Sequence, residues 1–165
     1  MTTLAEQHDA ILKTLRDGLP QLATVEAYSP GDAIDTPAAL LELEVIEEDP
    51  GENDGSDRVP LRCTWTVHCV LSTRTPNVQR EIRAMAAQIL GMIRRQRWGG
   101  LPVRPPEQIQ GGPGEISQGP HGYESWYLTW EQVLYLGDDV WLGDPPEIDT
   151  VYISAQGDEY EENDV

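Results

Sequence analysis

The chain has 165 residues, with 29 acidic against 11 basic side chains and a formal charge of −18; nucleic-acid phosphates and anionic membranes repel such a surface, which excludes a reader of DNA grooves. Its length suits one domain with a real core, plus long loops or a tail. Two cysteines, no charged-then-apolar leader and no apolar run near the ~18 residues of a membrane span make a reducing cytoplasm the expected setting.

The first segment, TLAEQHDAILKTLRDGL, predicts a helix. Thr3 as N-cap and Glu6 three residues later spell a capping box, Leu4, Ile11, Leu12 and Leu15 share a face, and Gly18 and Pro20 end it. His8 has no second ligand at a matching spacing and reads as a flank or core residue. Two extended pieces follow, LATVEAY (22–28) and PAALLELEVIEE (37–48). In the second, Leu41, Leu43 and Val45 alternate with Glu42, Glu44 and Ile46, predicting one apolar face and one bearing a carboxylate pair. Nothing nearby sets the two glutamates apart as an acid and a base, so they read as a solvated or lumen-facing row. Next, EDPGENDGSD (48–57) carries five acidic residues. With Gly55 in the glycine place of a calcium loop, the first and twelfth positions would be Pro50 and Leu61, which offer no side-chain oxygen. A long, mobile, acidic hairpin connection is expected instead.

Both cysteines lie in RVPLRCTWTVHCVLSTR (58–74). As a strand, this segment puts Cys63, Trp65, Val67, Cys69 and Leu71 on one face and Arg62, Thr64, Thr66 and His68 on the other. Six residues of extended chain separate the thiols by roughly 20 Å, far beyond the ~7 Å a disulfide allows. They cannot share a metal either, and His68 points away from both. Two buried structural thiols are expected.

The segment TPNVQREIRAMAAQILGMIRRQRWGG predicts a second helix, with Asn77 as N-cap, a stripe of Ile82, Met85, Ala86, Ile89, Leu90 and Ile93, and a stop at Gly99 and Gly100. Its last turn would hold Arg94, Arg95 and Arg97; with Arg80 and Arg83 these are five of the eleven basic residues. They serve either as favourable charge at a helix C-terminus or as a basic patch facing an acidic surface of a partner or neighbouring subunit. Residues 99–122 hold seven Gly and five Pro and predict no regular element. YESWYLTWEQVLYLG then reads as a long strand, with Trp126, Leu128, Trp130, Leu134 and Leu136 on one face and Tyr127, Thr129, Glu131, Val133 and Tyr135 on the other. After Gly137 at most one short strand, near Thr150 to Ser154, precedes an acidic end, GDEYEENDV, expected to be solvated and disordered.

Taken in order, PAALLELEVIEED, LRCTWTVHCVLS, REIRAMAAQILGMI followed by RWGG, and YESWYLTWEQVLYLGDDVW resemble the tail terminator, or tail completion, proteins of Mu-like bacteriophages and prophages. The likeness runs from about Leu4 to Trp141 and rests on the order and texture of several segments, not on one diagnostic motif. It implies an α+β domain over 1–141: a mixed, mainly antiparallel sheet of about four strands, two helices on one face and the long acidic hairpin loop. Residues 142–165 would form an acidic, partly disordered C-terminal extension.

The implied function is structural. A homo-oligomeric, hexameric ring at the head-proximal end of the tail tube would stop tube polymerisation and offer a docking surface to the head connector. The partners would be further copies of the chain, the tail tube protein, the head–tail connector or stopper, and DNA passing through a lumen that repels it. The location would be the virion tail, and the host cytoplasm during assembly. No membrane, cofactor, metal or catalytic residue is implied. Glu42, Glu44 and the loop acids Glu48, Asp49, Glu52, Asp54 and Asp57 are the candidates for lumen or tube contact, and Arg94, Arg95 and Arg97 for contact with a neighbour. Three rivals belong to other readings: a head-side connector or stopper, an acidic adaptor domain that binds basic proteins, and an enzyme that gathers His68, His121 and Asp138 from distant segments.

Overall fold

The computed structural model describes residues 2–31, 33–116, 122–140, 150–154 and 160–164. Helix α1 (Leu4–Gly18) opens with the capping box that its sequence spells: Thr3 Oγ1 accepts the Glu6 amide at 3.2 Å, and a Glu6 carboxylate oxygen accepts the Thr3 amide at 2.7 Å. Strand β1 (Thr24–Ala27) pairs in parallel with β2 (Ala38–Glu48), and β2 pairs antiparallel with the long β3 (Val59–Ser72). After helix α2 (Val78–Ile93), β4 (Glu107–Pro113) and β5 (Tyr123–Leu136) complete a five-stranded mixed sheet in the order β1-β2-β3-β5-β4. The fold is α+β.

Alternation decides which face the helices cover. Cys63, Trp65, Val67, Cys69 and Leu71 of β3 join Leu128, Trp130 and Leu134 of β5 and Ala39 and Leu41 of β2 in one core with Ile11, Leu12 and Leu15 of α1 and Ile82, Ala86, Ile89 and Ile93 of α2. The register sets Trp65 beside Trp130 at its centre, both fully buried. Among the described residues of β5, one buried polar side chain belongs to this face: Gln132, opposite Cys63.

Four sequence expectations are corrected. Residues 99–122 were expected to lack regular structure, yet they contain edge strand β4. Its glycines serve close approach: a Cβ on Gly111 would meet the Tyr127 carbonyl oxygen and Leu128 Cδ2 at 2.7 Å each. In β2 the ladder pairs Leu43 with Trp65 but Val45 with Thr64, leaving Glu44 as an extra residue. This bulge reverses the alternation, so Val45 shares the face of Glu42, while Ile46 pairs with Cys63 on the helix side.

Helix α2 stops at Ile93, six residues before the expected stop at Gly99: Arg94 takes extended ψ (122°) and Arg95 is left-handed (φ 66°). Arg94, Arg95 and Arg97 therefore lie past the last turn. Asn77 stands at the N-cap position, but left-handed (φ 53°) and without a side-chain cap hydrogen bond. Finally, β6 (Thr150–Ser154) pairs antiparallel with β7 (Tyr160–Asp164), so the acidic end contains a strand where disorder was expected. Backbone hydrogen bonds to the strand-forming run Thr150, Val151, Tyr152 and Ile153 explain a strand that charge composition conceals.

Candidate functional site

Cys63 and Cys69 are free and buried on the helix side, and burial pushes their thiols up to about 11 and about 12. They are structural. A thiol reagent at pH 8 is expected to modify neither in the native protein and both after unfolding, read by mass spectrometry.

Among the described residues, neither α1 nor α2 covers the other face of the sheet. Its β3 row of Arg62, Thr64, Thr66 and His68 is flanked by Leu40 and Glu42 of β2 and by Tyr127, Thr129 and Glu131 of β5. Along its middle runs a groove of about 720 Å³ whose walls include Tyr28, Glu42, Glu44, Glu115, Tyr127 and Thr129, with Thr66 and His68 also lining it. Among the described residues no lysine or arginine lines it. His68 Nε2 lies 2.7 Å from Glu42 Oε2, and its ring rests against Tyr28 at 4.8 Å between centroids. The bulge brings Glu44 to the same groove.

Two wall groups have unmet hydrogen-bonding capacity. Thr66 Oγ1 and His68 Nδ1 are buried without a partner among the described residues, Thr66 being 2 % exposed. When the ring donates its Nε2–H to Glu42, Nδ1 is an acceptor. The groove thus offers acceptors, carboxylates and aromatic faces, the chemistry that receives a cationic N–H donor.

The hairpin acids are placed differently from one another. Asp49 binds the Arg62 guanidinium at 2.6 and 2.8 Å, Glu52 lies 3.3 Å from Arg104, and Asp54 lies 2.7 Å from Arg58. Hydrogen bonds from the Ser56 hydroxyl and amide hold the Asp54 carboxyl down to about 2. Arg62 also reaches Glu131 at 3.3 Å and Glu107 at 3.6 Å, which tie the hairpin base to β5 and β4. Internal cations therefore engage three of the five loop acids, while Glu48 and Asp57 are exposed and without an ion pair among the described residues. No family model matches this chain, and no curated protein matches it.

Arg94, Arg95 and Arg97 are exposed and make no ion pair among the described residues. Their position is held from inside. Gln132, on the helix side of β5, donates to the carbonyls of Gln96 at 3.1 Å and Arg104 at 2.8 Å, and accepts from Trp98 Nε1 at 2.7 Å and Gln7 Nε2 at 3.2 Å. All four hydrogen-bonding positions of the amide are filled. The sequence reading passed over Gln132; its one signal was a polar residue at an apolar parity position between Trp130 and Leu134.

The enzyme constellation is not brought together. His121 is outside the described residues. Asp138 follows the end of β5, which carries it roughly 30 Å along the strand, at ~3.3 Å per residue, from Tyr127, the ladder partner of His68. Among the described residues no three His, Cys, Asp or Glu side chains converge to hold a metal ion, and no helix is long and apolar enough to cross a membrane.

Proposed function

We propose that this chain is a structural protein of the phage tail, a ring-forming terminator that stops the tube at its head-proximal end and docks the connector. The segments from PAALLELEVIEED to YESWYLTWEQVLYLGDDVW resemble that family, and the α+β fold agrees with what the resemblance implies. One observation carries most weight: the sheet has a helix-covered face and an open acidic face, with an arginine cluster on the helix side. Such a chain carries an acidic groove on one face of the sheet and exposed arginines just past α2. Heterologous contact between unlike surfaces is what closes a ring. The negative charge of −18 per chain, multiplied around a ring, would let DNA slide through without sticking.

An acidic adaptor that binds a basic protein is the second reading, favoured by the same groove. Salt separates the two, because a rim of charge pairs alone weakens steeply as ionic strength rises. Gold-labelled protein added to purified tails that lack their own copy should decorate one tube end, the head-proximal one, and stay there through a high-salt wash. Label along the whole tube, at neither end, or lost in salt would argue for the adaptor.

A further inference from the structure

We infer that the open-face groove receives the arginine turn, residues 94–97, of a second copy of this chain. This deepens the ring reading by naming the two surfaces that meet. The groove presents Glu42, Glu44 and Glu115, the last two without an ion pair among the described residues, beside Tyr28 and Tyr127. Its buried Thr66 hydroxyl and His68 Nδ1 are unpartnered there. A guanidinium supplies five N–H donors in a plane, which matches carboxylates, a hydroxyl oxygen, a ring nitrogen and tyrosine faces together.

The turn supplies those cations. Arg94, Arg95 and Arg97 are exposed and without an ion pair among the described residues, in a molecule where carboxylates outnumber basic groups 29 to 11. Gln132 and the buried Trp98 pin the backbone from which they project. Topology then requires a second chain. Gln132 points to the helix side of the sheet and holds the turn there, whereas Thr66, His68, Tyr127 and Thr129 line the opposite face. A chain cannot place its own turn in its own groove across the thickness of the sheet. The contact is head-to-tail, and it closes into a ring or continues as a filament according to the rotation between copies.

The lysine content makes the test clean, because Lys13 is the chain's one lysine. In full-length Lys13→Arg/Arg95→Lys protein the charge is unchanged and one side-chain amine marks the turn. Treating a 1:1 mixture of isotopically heavy and light chains at about 100 µM with a zero-length carbodiimide should give inter-chain amides from that amine to Glu42, Glu44 or Glu115. Thr66→Val, added to the same background, should raise Tm by a few degrees by removing a buried unpaired hydroxyl. It should also lower the adduct yield several-fold.

Absence of inter-chain adducts, adducts confined to one chain, or adducts to carboxylates elsewhere would overturn the inference, as would a Thr66→Val yield equal to the parent's. This outcome is separable from the tail reading. Missing adducts together with tails that lose length control when the protein is deleted would leave a terminator with a different interface. Groove adducts together with normal tails would leave an oligomer with another task.

Discussion

Gln132→Met is expected to lower the unfolding free energy by about 3–5 kcal/mol, since each buried polar group left unpaired costs ~1–3 kcal/mol and some regain water. Four partners lose their bond at once: the Trp98 and Gln7 donors, and the carbonyls of Gln96 and Arg104. For a domain with ~5–15 kcal/mol of total stability, that is a large share. The loss should not be spread evenly. Amides over 96–104 should exchange faster than those of β3, because the amide side chain is what fastens that segment to β5. Gln132→Glu keeps the acceptor for Trp98 and Gln7 but turns an oxygen towards two carbonyls, so a loss of similar size is expected. Urea unfolding of the three proteins at one pH, with exchange read by mass spectrometry, gives both numbers. A change below ~1 kcal/mol would mean the network is dispensable.

Trp65→Ala is expected to cost about 3–5 kcal/mol, the usual range for emptying a large aromatic site in a core. Trp65 is fully buried at the centre of the sheet, with Trp130 beside it on β5 and the His8 ring at 6.0 Å. Trp65→Phe separates volume from polarity. The indole Nε1 has no partner among the described residues, so phenylalanine removes an unpaired donor while losing part of the ring volume. It should recover most of the stability. Thermal and urea unfolding of the pair checks this; equal destabilisation by both changes would show that the indole is itself required.

Period-2 alternation made β3 and β5 legible from sequence, down to which thiol and which tryptophan face the helices, because each strand is covered on one face and its letters record that. The capping box of α1 was equally direct. What escaped was whatever depends on distant partners. The β2 bulge appears only in the register against β3, and it moves Val45 and Ile46 to faces opposite to those alternation assigned. Strand β4 is hidden by glycines that answer to Tyr127 and Leu128 rather than to a turn. The early end of α2 follows from Gln132 and Trp98 holding the segment beyond it.

The residues of the candidate site were legible in sequence only as charges. Glu42 and Glu44 both line the groove, Glu44 through a bulge that alternation does not show, while Asp49, Glu52 and Asp54 find their own cations, Arg62, Arg104 and Arg58. Those pairings join residues far apart in sequence or bent back across a turn, and composition alone cannot foretell them. The arginine cluster was visible as letters; its place on the helix side, across the sheet from the groove, required the fold.

Tail length in particles assembled without this protein tests the central claim most directly. Under the terminator reading, deleting its gene from the genome that carries it and imaging the particles by electron microscopy should give overlong or headless tubes, with normal length restored by the chain supplied in trans. Joined heads and tails of unchanged length in the deletion would contradict the terminator reading.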